Sequence, residues 1–342
     1  MIRTLLYGLT GALATTLALS AATPVEKSGA MAVTGNKIVG KDGKPVQVTG
    51  MSLYWSVWGG EDYYNKSAVD WLVKDWKINL IRAAIAAEPN DARGRGYMGD
   101  PAGQLRNAKT IVDAAIANGI YVIVDWHDHN ANKHVKEAKA FFEEMGKAYG
   151  NTPNVIWEIW NEPDNRGGSG PKGEDTWDDI RGYAAEVIPV IRKHSSNVIV
   201  VGTPTWSQDV DIAAAKPIAG PNIAYALHFY AGTHGASLRT KAEKAMEAGA
   251  AIFITEYGTT HADGGTVDRK VYTEETKVWL DWADKYGLSY ANWSLVDKDE
   301  SSAAFYPGVS GKGGWSPQVI SISGKWVRDR LLARAAAEAP AK

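Results

Sequence analysis

The sequence predicts an α/β chain folded as a (β/α)8 TIM barrel with a short N-terminal β-hairpin, and three observations predict it. Eight short apolar runs, each β-branched or aromatic, recur along the chain. Amphipathic stretches at helical spacing separate them, and parallel strands need such crossovers; eight of them close a sheet without edges. The alternative is an open, doubly wound sheet. No Gly-rich phosphate loop follows the first run, which weakens the nucleotide-binding version of that alternative.

Taken in order, the chain begins with Arg3 and an uncharged stretch from Leu5 to Pro24, with small residues at Ser20, Ala21 and Ala22. That pattern marks residues 1–22 as a signal peptide; an uncleaved anchor is disfavoured because Thr, Gly and Ala make the stretch weakly apolar. Residues 23–30 form a short lead, 31–332 the barrel domain and 333–342 a C-terminal tail. From Met31 to Gly50 apolar and polar residues alternate around Lys41-Asp42-Gly43-Lys44, which predicts a hairpin with Asp-Gly in its turn, a small lid before the main fold. The predicted strands are Val46–Tyr54, Asn79–Ala84, Tyr121–Trp126, Val155–Trp160, Val198–Gly202, Ile223–Tyr230, Ile252–Glu256 and Ser289–Ser294. Helices are expected over Ser67–Trp76, Leu105–Asn118, Lys136–Tyr149, Trp177–His194, Leu238–Ala248, Glu274–Tyr286 and Val319–Ala337, with a faint fifth pattern near Val210–Ala215.

Composition excludes several functions. The chain has 342 residues, 37 basic against 39 acidic, so it lacks the basic excess of a nucleic-acid binder. It has no Cys, which removes disulfides, thiolate zinc sites and a cysteine nucleophile. The odd number is 14 Trp against 5 Phe, more flat amphipathic rings than a core needs.

In a barrel the active site forms at the C-terminal ends of the strands. The polar residues there are Arg82, His127, His129, Asn161, Glu162, His228, Tyr230 and Glu256, with Trp293 on the last strand. Glu162 and Glu256 follow the fourth and seventh strands, on opposite sides of the mouth. Two carboxyls facing each other are what glycoside hydrolysis needs, one to protonate the leaving oxygen and one to attack or activate water. Arg82 and Tyr230 are plausible partners keeping Glu256 ionised, and Glu162, close to another carboxylate, is expected to hold a proton.

The segments Val155-Ile156-Trp157-Glu158-Ile159-Trp160-Asn161-Glu162-Pro163, Ala226-Leu227-His228-Phe229-Tyr230-Ala231-Gly232-Thr233-His234 and Ile252-Phe253-Ile254-Thr255-Glu256-Tyr257-Gly258 resemble glycoside hydrolase family 5. So does Asn292-Trp293-Ser294-Leu295-Val296-Asp297-Lys298-Asp299-Glu300-Ser301-Ser302, and the likeness, closest to bacterial secreted endo-β-1,4-glucanases, runs from Met31 to Arg328. The resemblance implies a retaining double displacement on a β-1,4-glucan, with Glu162 as acid/base and Glu256 as nucleophile, their carboxyls roughly 5–5.5 Å apart. It implies that Asn161 binds the sugar 2-hydroxyl, Arg82 orients Glu256, Tyr230 donates to it, and His127 and His228 line the cleavage subsite. Trp293 would form the sugar platform there, with a cis bond to Ser294. Trp206 would stack a leaving-side sugar; Trp55 or Trp58, with Lys298 and Glu300, would grip the other side, and Tyr97 takes a neighbouring position. The implied enzyme needs no cofactor or metal, acts as a monomer, and binds neither nucleic acid nor, once the signal is cleaved, a membrane.

Two other classes compete. Asp125-Trp126-His127-Asp128-His129 with His134 has the look of a metal site, as in metal-dependent barrel hydrolases, but the fifth strand offers no further ligand. A non-catalytic sugar-binding barrel would keep the aromatic cleft without the chemistry. Mannan, xyloglucan and mixed-linkage glucan stay open as substrates, and without an attached binding module soluble or amorphous glucan is expected to be cleaved far faster than crystalline material. Half of the Trp residues, Trp55, Trp58, Trp126, Trp160, Trp206, Trp293 and Trp315, fall at strand ends or in the loops after them, on the face that carries the two glutamates.

Overall fold

In the computed structural model, which describes residues 22–88, 95–164 and 175–338, eight parallel strands close into a barrel. A two-stranded hairpin precedes them, β1 (Ala32–Thr34) and β2 (Lys37–Val39). The barrel strands are β3 (Thr49–Leu53), β4 (Leu80–Ala86), β5 (Tyr121–His127), β6 (Val155–Glu158), β7 (Ile199–Val201), β8 (Ile223–Tyr230), β9 (Ile252–Gly258) and β10 (Tyr290–Leu295), each paired with the next and β10 with β3. All eight expected strands are present. Most are buried along their whole length, since helices cover the outside and side chains fill the inside. That is why they were legible as continuous apolar runs.

Helices lie between the strands as expected, including the short one at Val210–Ala215. The helix Pro101–Asn118 shows why its ends fall where they do: Asp100 accepts the Gly103 N–H, Pro101 opens the first turn, and Gly119 closes it in the left-handed region at φ 63°. One expected helix divides, its α-helical part Lys66–Trp71 passing into a π-helical turn at Leu72–Trp76. The last helix, Ile322–Glu338, continues through 333–338, where a tail was expected, and Arg334 reaches Asp284 Oδ1 at 2.6 Å. The expected signal peptide lies outside the described residues, except for Ala22.

The expected Asp-Gly turn is present, with Val39 bridged to Pro45 across it, and a further turn precedes it. The paired strands turn at Gly35-Asn36, with Gly35 at φ 57°, while Asp42-Gly43 makes a second turn closed by Gly40 N–H to Lys44 O at 2.9 Å. Both Gly-containing pairs are used, so β2 pairs with β1 on one side and, through Ile38 and Val39, with residues 45–46 on the other. Met31, Ile38 and Val48 join Leu80, Ile123, Ile156, Val200, Ala224 and Phe253 in an apolar cluster inside the N-terminal end of the barrel. Tyr121 donates to Gly29 O at 2.6 Å, fixing the segment before the hairpin to β5. This end is closed, so chemistry is confined to the other.

Candidate active site

The open end is built around Arg82. Its fully buried guanidinium reaches three carboxylates: Nε lies 2.7 Å from Glu158 Oε2, Nη1 3.0 Å from Glu256 Oε2 and Nη2 2.9 Å from Asp125 Oδ2. Nη2 also donates to Asn161 Oδ1. Burial works against the Arg82 charge, but the carboxylates of Asp125, Glu158 and Glu256 outweigh it and hold its pKa above the ordinary guanidinium value. A lysine, with one point charge, could not replace this fork.

Glu256 accepts the Tyr230 phenol on its other oxygen at 2.6 Å. Gly258 makes room for that ring, since a Cβ there would lie 2.2 Å from it. His228 and Glu256 are direct neighbours in the β8–β9 ladder, just past a register shift of the kind that re-aims side chains. On its far side His228 Nδ1 lies 2.9 Å from Glu162 Oε1, and His129 Nε2 lies 3.5 Å from Glu162 Oε2. One oxygen of Glu162, one of Glu256 and a ring nitrogen of His228 all fall within 4.8 Å of one another. Beneath them Thr255 Oγ1 donates to Glu158 Oε1 at 2.6 Å and sits 2.8 Å from His228 Nε2.

Protonation differs from the sequence expectation. Burial would raise Glu162, but hydrogen bonds from His129 and His228 prevail and bring it down to about 2. Burial likewise opposes a charge on His228, yet Glu158 and Glu162 raise it to about 9. Glu256 is pushed up, first by burial and then by the Glu162 charge, against the pull of His228, Arg82 and Tyr230. These opposite shifts favour a charged pair, the Glu162 carboxylate and the His228 imidazolium, one hydrogen bond apart. Sequence could show one carboxylate near another; it could not show two imidazoles converging on Glu162.

A cleft crosses this end in two arms that share His129, Glu162, Tyr230 and Ala262. One arm is lined by Tyr54, Trp55, His127, Trp293, Lys298 and Glu300. Here the rings of His127 and Trp293 stack in parallel 5.1 Å apart, and Lys298 bridges Glu300 at 2.6 Å and Tyr54 Oη at 3.1 Å. The peptide between Trp293 and Ser294 is cis, as the resemblance implied. The other arm, about 560 Å³, carries Trp206, Gln208, His228 and His234. Trp206, 38% exposed, projects from three successive left-handed residues, Thr205, Trp206 and Ser207, at φ 58°, 53° and 56°. Each costs about 1–2 kcal/mol in this region. The turn is held to the Glu162 segment by Trp206 N–H to Pro163 O at 2.9 Å and Ser207 Oγ to Asn161 O at 2.8 Å.

The sequence model of the cellulase family, described as "Cellulase (glycosyl hydrolase family 5)", matches residues 39–299. The chain belongs to glycosyl hydrolase family 5. Among curated family 5 relatives, Endoglucanase N of Pectobacterium atrosepticum is 44% identical over 92% of this chain and 68% of its own length. Endoglucanase A of Evansella cellulosilytica is 46% identical over 84% of this chain and 57% of its own, so the chain spans only part of such relatives. A solved structure from Cytophaga hutchinsonii superposes with a TM-score of 0.86 at 45% identity, covering 92% of this chain and 98% of that one. The catalytic domain of a Thermobifida fusca endoglucanase superposes with a TM-score of 0.81 at 33% identity, covering 91% and 100%, and a variant of it was solved with cellotetraose.

Most sequence-selected residues of this family 5 barrel meet at the cleft: Arg82, His127, Asn161, Glu162, His228, Tyr230, Glu256 and Trp293 at its centre, Trp55, Lys298, Glu300 and Trp206 along its arms. Two do not line it. Tyr97 is buried, its ring edge-on to Trp126 at 5.4 Å and Phe141 at 5.5 Å, so it packs behind β5. Trp58, 39% exposed, rests on Trp55 at 5.4 Å; Trp55 is the ring that faces the cleft. Trp126, Trp160 and Trp315 are also buried. The suspected metal histidines diverge to three carboxylates, His127 to Asp125, His134 to Asp128 and His129 to Glu162. Sequence reasoning passed over Glu158 and Thr255, although each lies within a quoted motif, because a mid-strand polar residue facing the barrel axis looks like one facing a helix.

Proposed function

We propose that the chain is an exported, retaining endo-β-1,4-glucanase in which Glu256 is the nucleophile and Glu162 the acid/base. The observation that carries the mechanism is the approach of the two carboxylates to within 4.8 Å. Retaining enzymes hold theirs about 5–5.5 Å apart, whereas inverting enzymes need about 6.5–9.5 Å to fit a water between them. The cleft supports endo action because it extends on both sides of Glu162, so a chain can lie across the barrel mouth.

Glu256 attacks the anomeric carbon while Glu162 protonates the glycosidic oxygen; water, deprotonated by Glu162, then releases the sugar from Glu256. Arg82 and Tyr230 aim the Glu256 oxygens, and Asn161 receives the 2-hydroxyl, a contact that strengthens in the transition state. Trp293 and His127 floor the cleavage subsite. A bound sugar excludes water from Glu162 and disfavours a separated charge pair, which drives the proton from His228 Nδ1 to Glu162 Oε1 along their 2.9 Å bond. Cellulose-type glucan is the favoured substrate because the named relatives are endoglucanases. Residues 1–22 serve as the export signal, and N-terminal sequencing of the exported protein tests this.

A 2-deoxy-2-fluoro cellobiosyl fluoride should trap the glycosyl-enzyme, and peptide mass mapping should put the sugar on Glu256. An adduct elsewhere, or none together with an inverted anomer by NMR, would overturn the mechanism. Product-size analysis on a panel of β-glucans, mannan and xyloglucan tests substrate and endo action together.

A further inference from the structure

One fully buried carboxylate has no part in that mechanism. Glu158 lies under the reacting groups, at the end of β6 just before the Glu162 segment, and both its oxygens are occupied: Oε2 accepts Arg82 Nε at 2.7 Å and Oε1 accepts Thr255 Oγ1 at 2.6 Å. The donor count around Thr255 then fixes the imidazole. A threonine hydroxyl has one proton, and here it goes to Glu158; toward His228 Nε2, 2.8 Å away, Thr255 can only accept. His228 therefore keeps a proton on Nε2 at all times. Its Nδ1, 2.9 Å from Glu162 Oε1, is the only ring position left to gain or lose one.

We propose that Glu158, acting through Thr255, is a positioning residue for the acid/base: it fixes the His228 tautomer so that Nδ1 exchanges a single proton with Glu162. This rests on the mechanism proposed above. The same carboxylate continues through Arg82 to Glu256 Oε2 at 3.0 Å, so one hydrogen-bonded chain, Glu162–His228–Thr255–Glu158–Arg82–Glu256, joins the acid/base to the nucleophile beneath the sugar. The proton balance is simple. In glycosylation Nδ1 gives its proton to Glu162 and Glu162 gives one to the departing oxygen; in deglycosylation the water proton returns by the same route. Glu158 and Thr255 keep their own protonation throughout.

Among the described residues, the charged and titratable groups facing the imidazole are Glu158 and Glu162 from β6 and the loop after it and Glu256 from β9, with Asp125 and His127 of β5 and Arg82 of β4 behind and His129 on the other oxygen of Glu162. Replacing Glu158 by Gln reverses the donor order. Arg82 Nε still requires an acceptor, so the amide NH₂ would face Thr255, whose hydroxyl would turn its proton toward His228 Nε2. Nδ1 would then be a permanent donor, unable to take a proton from Glu162 or relay one to it.

The test compares Glu158→Gln, Thr255→Val, Thr255→Ser and Glu162→Gln on two substrates, cellotetraose, whose departing sugar needs protonation, and 2,4-dinitrophenyl β-cellobioside, whose phenolate does not. Burst kinetics read the glycosylation step. Glu158→Gln and Thr255→Val should lose about 100-fold in kcat on cellotetraose, the lower range of an acid/base contribution, yet change the dinitrophenyl burst rate by less than about 5-fold. Thr255→Ser should behave as wild type, and the alkaline limb of the cellotetraose profile should move in the first two variants. Equal losses on both substrates in folded Glu158→Gln, with an unmoved alkaline limb, would reduce Glu158 to a structural role and overturn the proposal. If Glu162→Gln itself fails to separate the two substrates, the acid/base assignment falls instead; if it separates them and Glu158→Gln does not, only the relay falls.

Discussion

At the N-terminal end of the barrel, Leu80, Ile123, Ile156, Ala226, Phe253 and Ala291 form an apolar layer under the hairpin. Two residues further along the same six strands stand Arg82, Asp125, Glu158, His228, Thr255 and Trp293. A two-residue step keeps a side chain on the same face of a regular strand, and across the β8–β9 register shift His228 and Thr255 still meet at Glu158, so both layers point at the barrel axis. One is held by exclusion of water and tolerates any well-packed apolar set; the other is held by directed charges, each of which needs every partner. The contrast teaches that a position along the strand, more than the face it lies on, separates stability from chemistry in this molecule.

Substitutions should divide along that line. The largest effect belongs to the open end: Glu256→Gln should lower kcat by more than about ten-thousand-fold and Glu162→Gln by about one hundred to ten thousand, with thermal unfolding still cooperative in both. A circular-dichroism melt beside steady-state rates on soluble glucan checks this, and loss of fold in Glu256→Gln would erase the distinction between the two ends. At the closed end Ile38→Asp, which buries a carboxyl among Met31, Leu80 and Phe253, should cost about 2–4 kcal/mol in urea unfolding. The fraction that remains folded should keep its kcat within about twofold, because nothing there touches the cleft.

Between these extremes, Trp206→Ala should raise KM for cellotetraose about 3- to 10-fold, the worth of about 0.5–1.5 kcal/mol of stacking, with a smaller change in kcat. Alanine keeps the Cβ that strains the left-handed turn and the lost ring is partly exposed, so that variant should melt close to wild type. The smallest effect is on pH dependence, and it sharpens the comparison. Glu162 is lowered from 4.5 to about 2, so its contribution is present above pH 4.5 and lost as pH falls through about 2. His228 is raised from 6.5 to about 9, so its contribution is complete below pH 6.5 and lost as pH rises through about 9. Stability from this pair should peak between about pH 4.5 and 6.5, and Glu162→Gln should remove the acidic limb and shrink the alkaline one, which Glu158 still sustains, in urea titrations. Ile38→Asp should leave the alkaline limb unchanged.

Much of this was legible in the chain itself. Eight strands could be located because each is buried on both faces and must be apolar throughout, and the polar residues that interrupt them mark the mouth. Glu162 and Glu256 stood out as carboxylates where strands end. What failed was local ambiguity. Tyr97 and Trp58 lie in loops near the mouth, and only packing decides whether a ring turns to the cleft or away from it. Asp42-Gly43 turns as expected, but the earlier turn at Gly35-Asn36, which adds the β1 strand beside β2, was not foreseen.

By itself, then, the sequence determined the number of β/α units, the order in which they close and the residues delivered to the open end, because periodicity and burial act along the chain. Tertiary structure alone decided that two imidazoles converge on Glu162, which ring of Trp55 and Trp58 faces the cleft, and that Glu158 reaches His228 through Thr255. Those outcomes depend on groups from β4, β6, β8 and β9 meeting within hydrogen-bond distance. Their separation in sequence, from 27 residues between His228 and Thr255 to 174 between Arg82 and Glu256, carries no trace of that meeting.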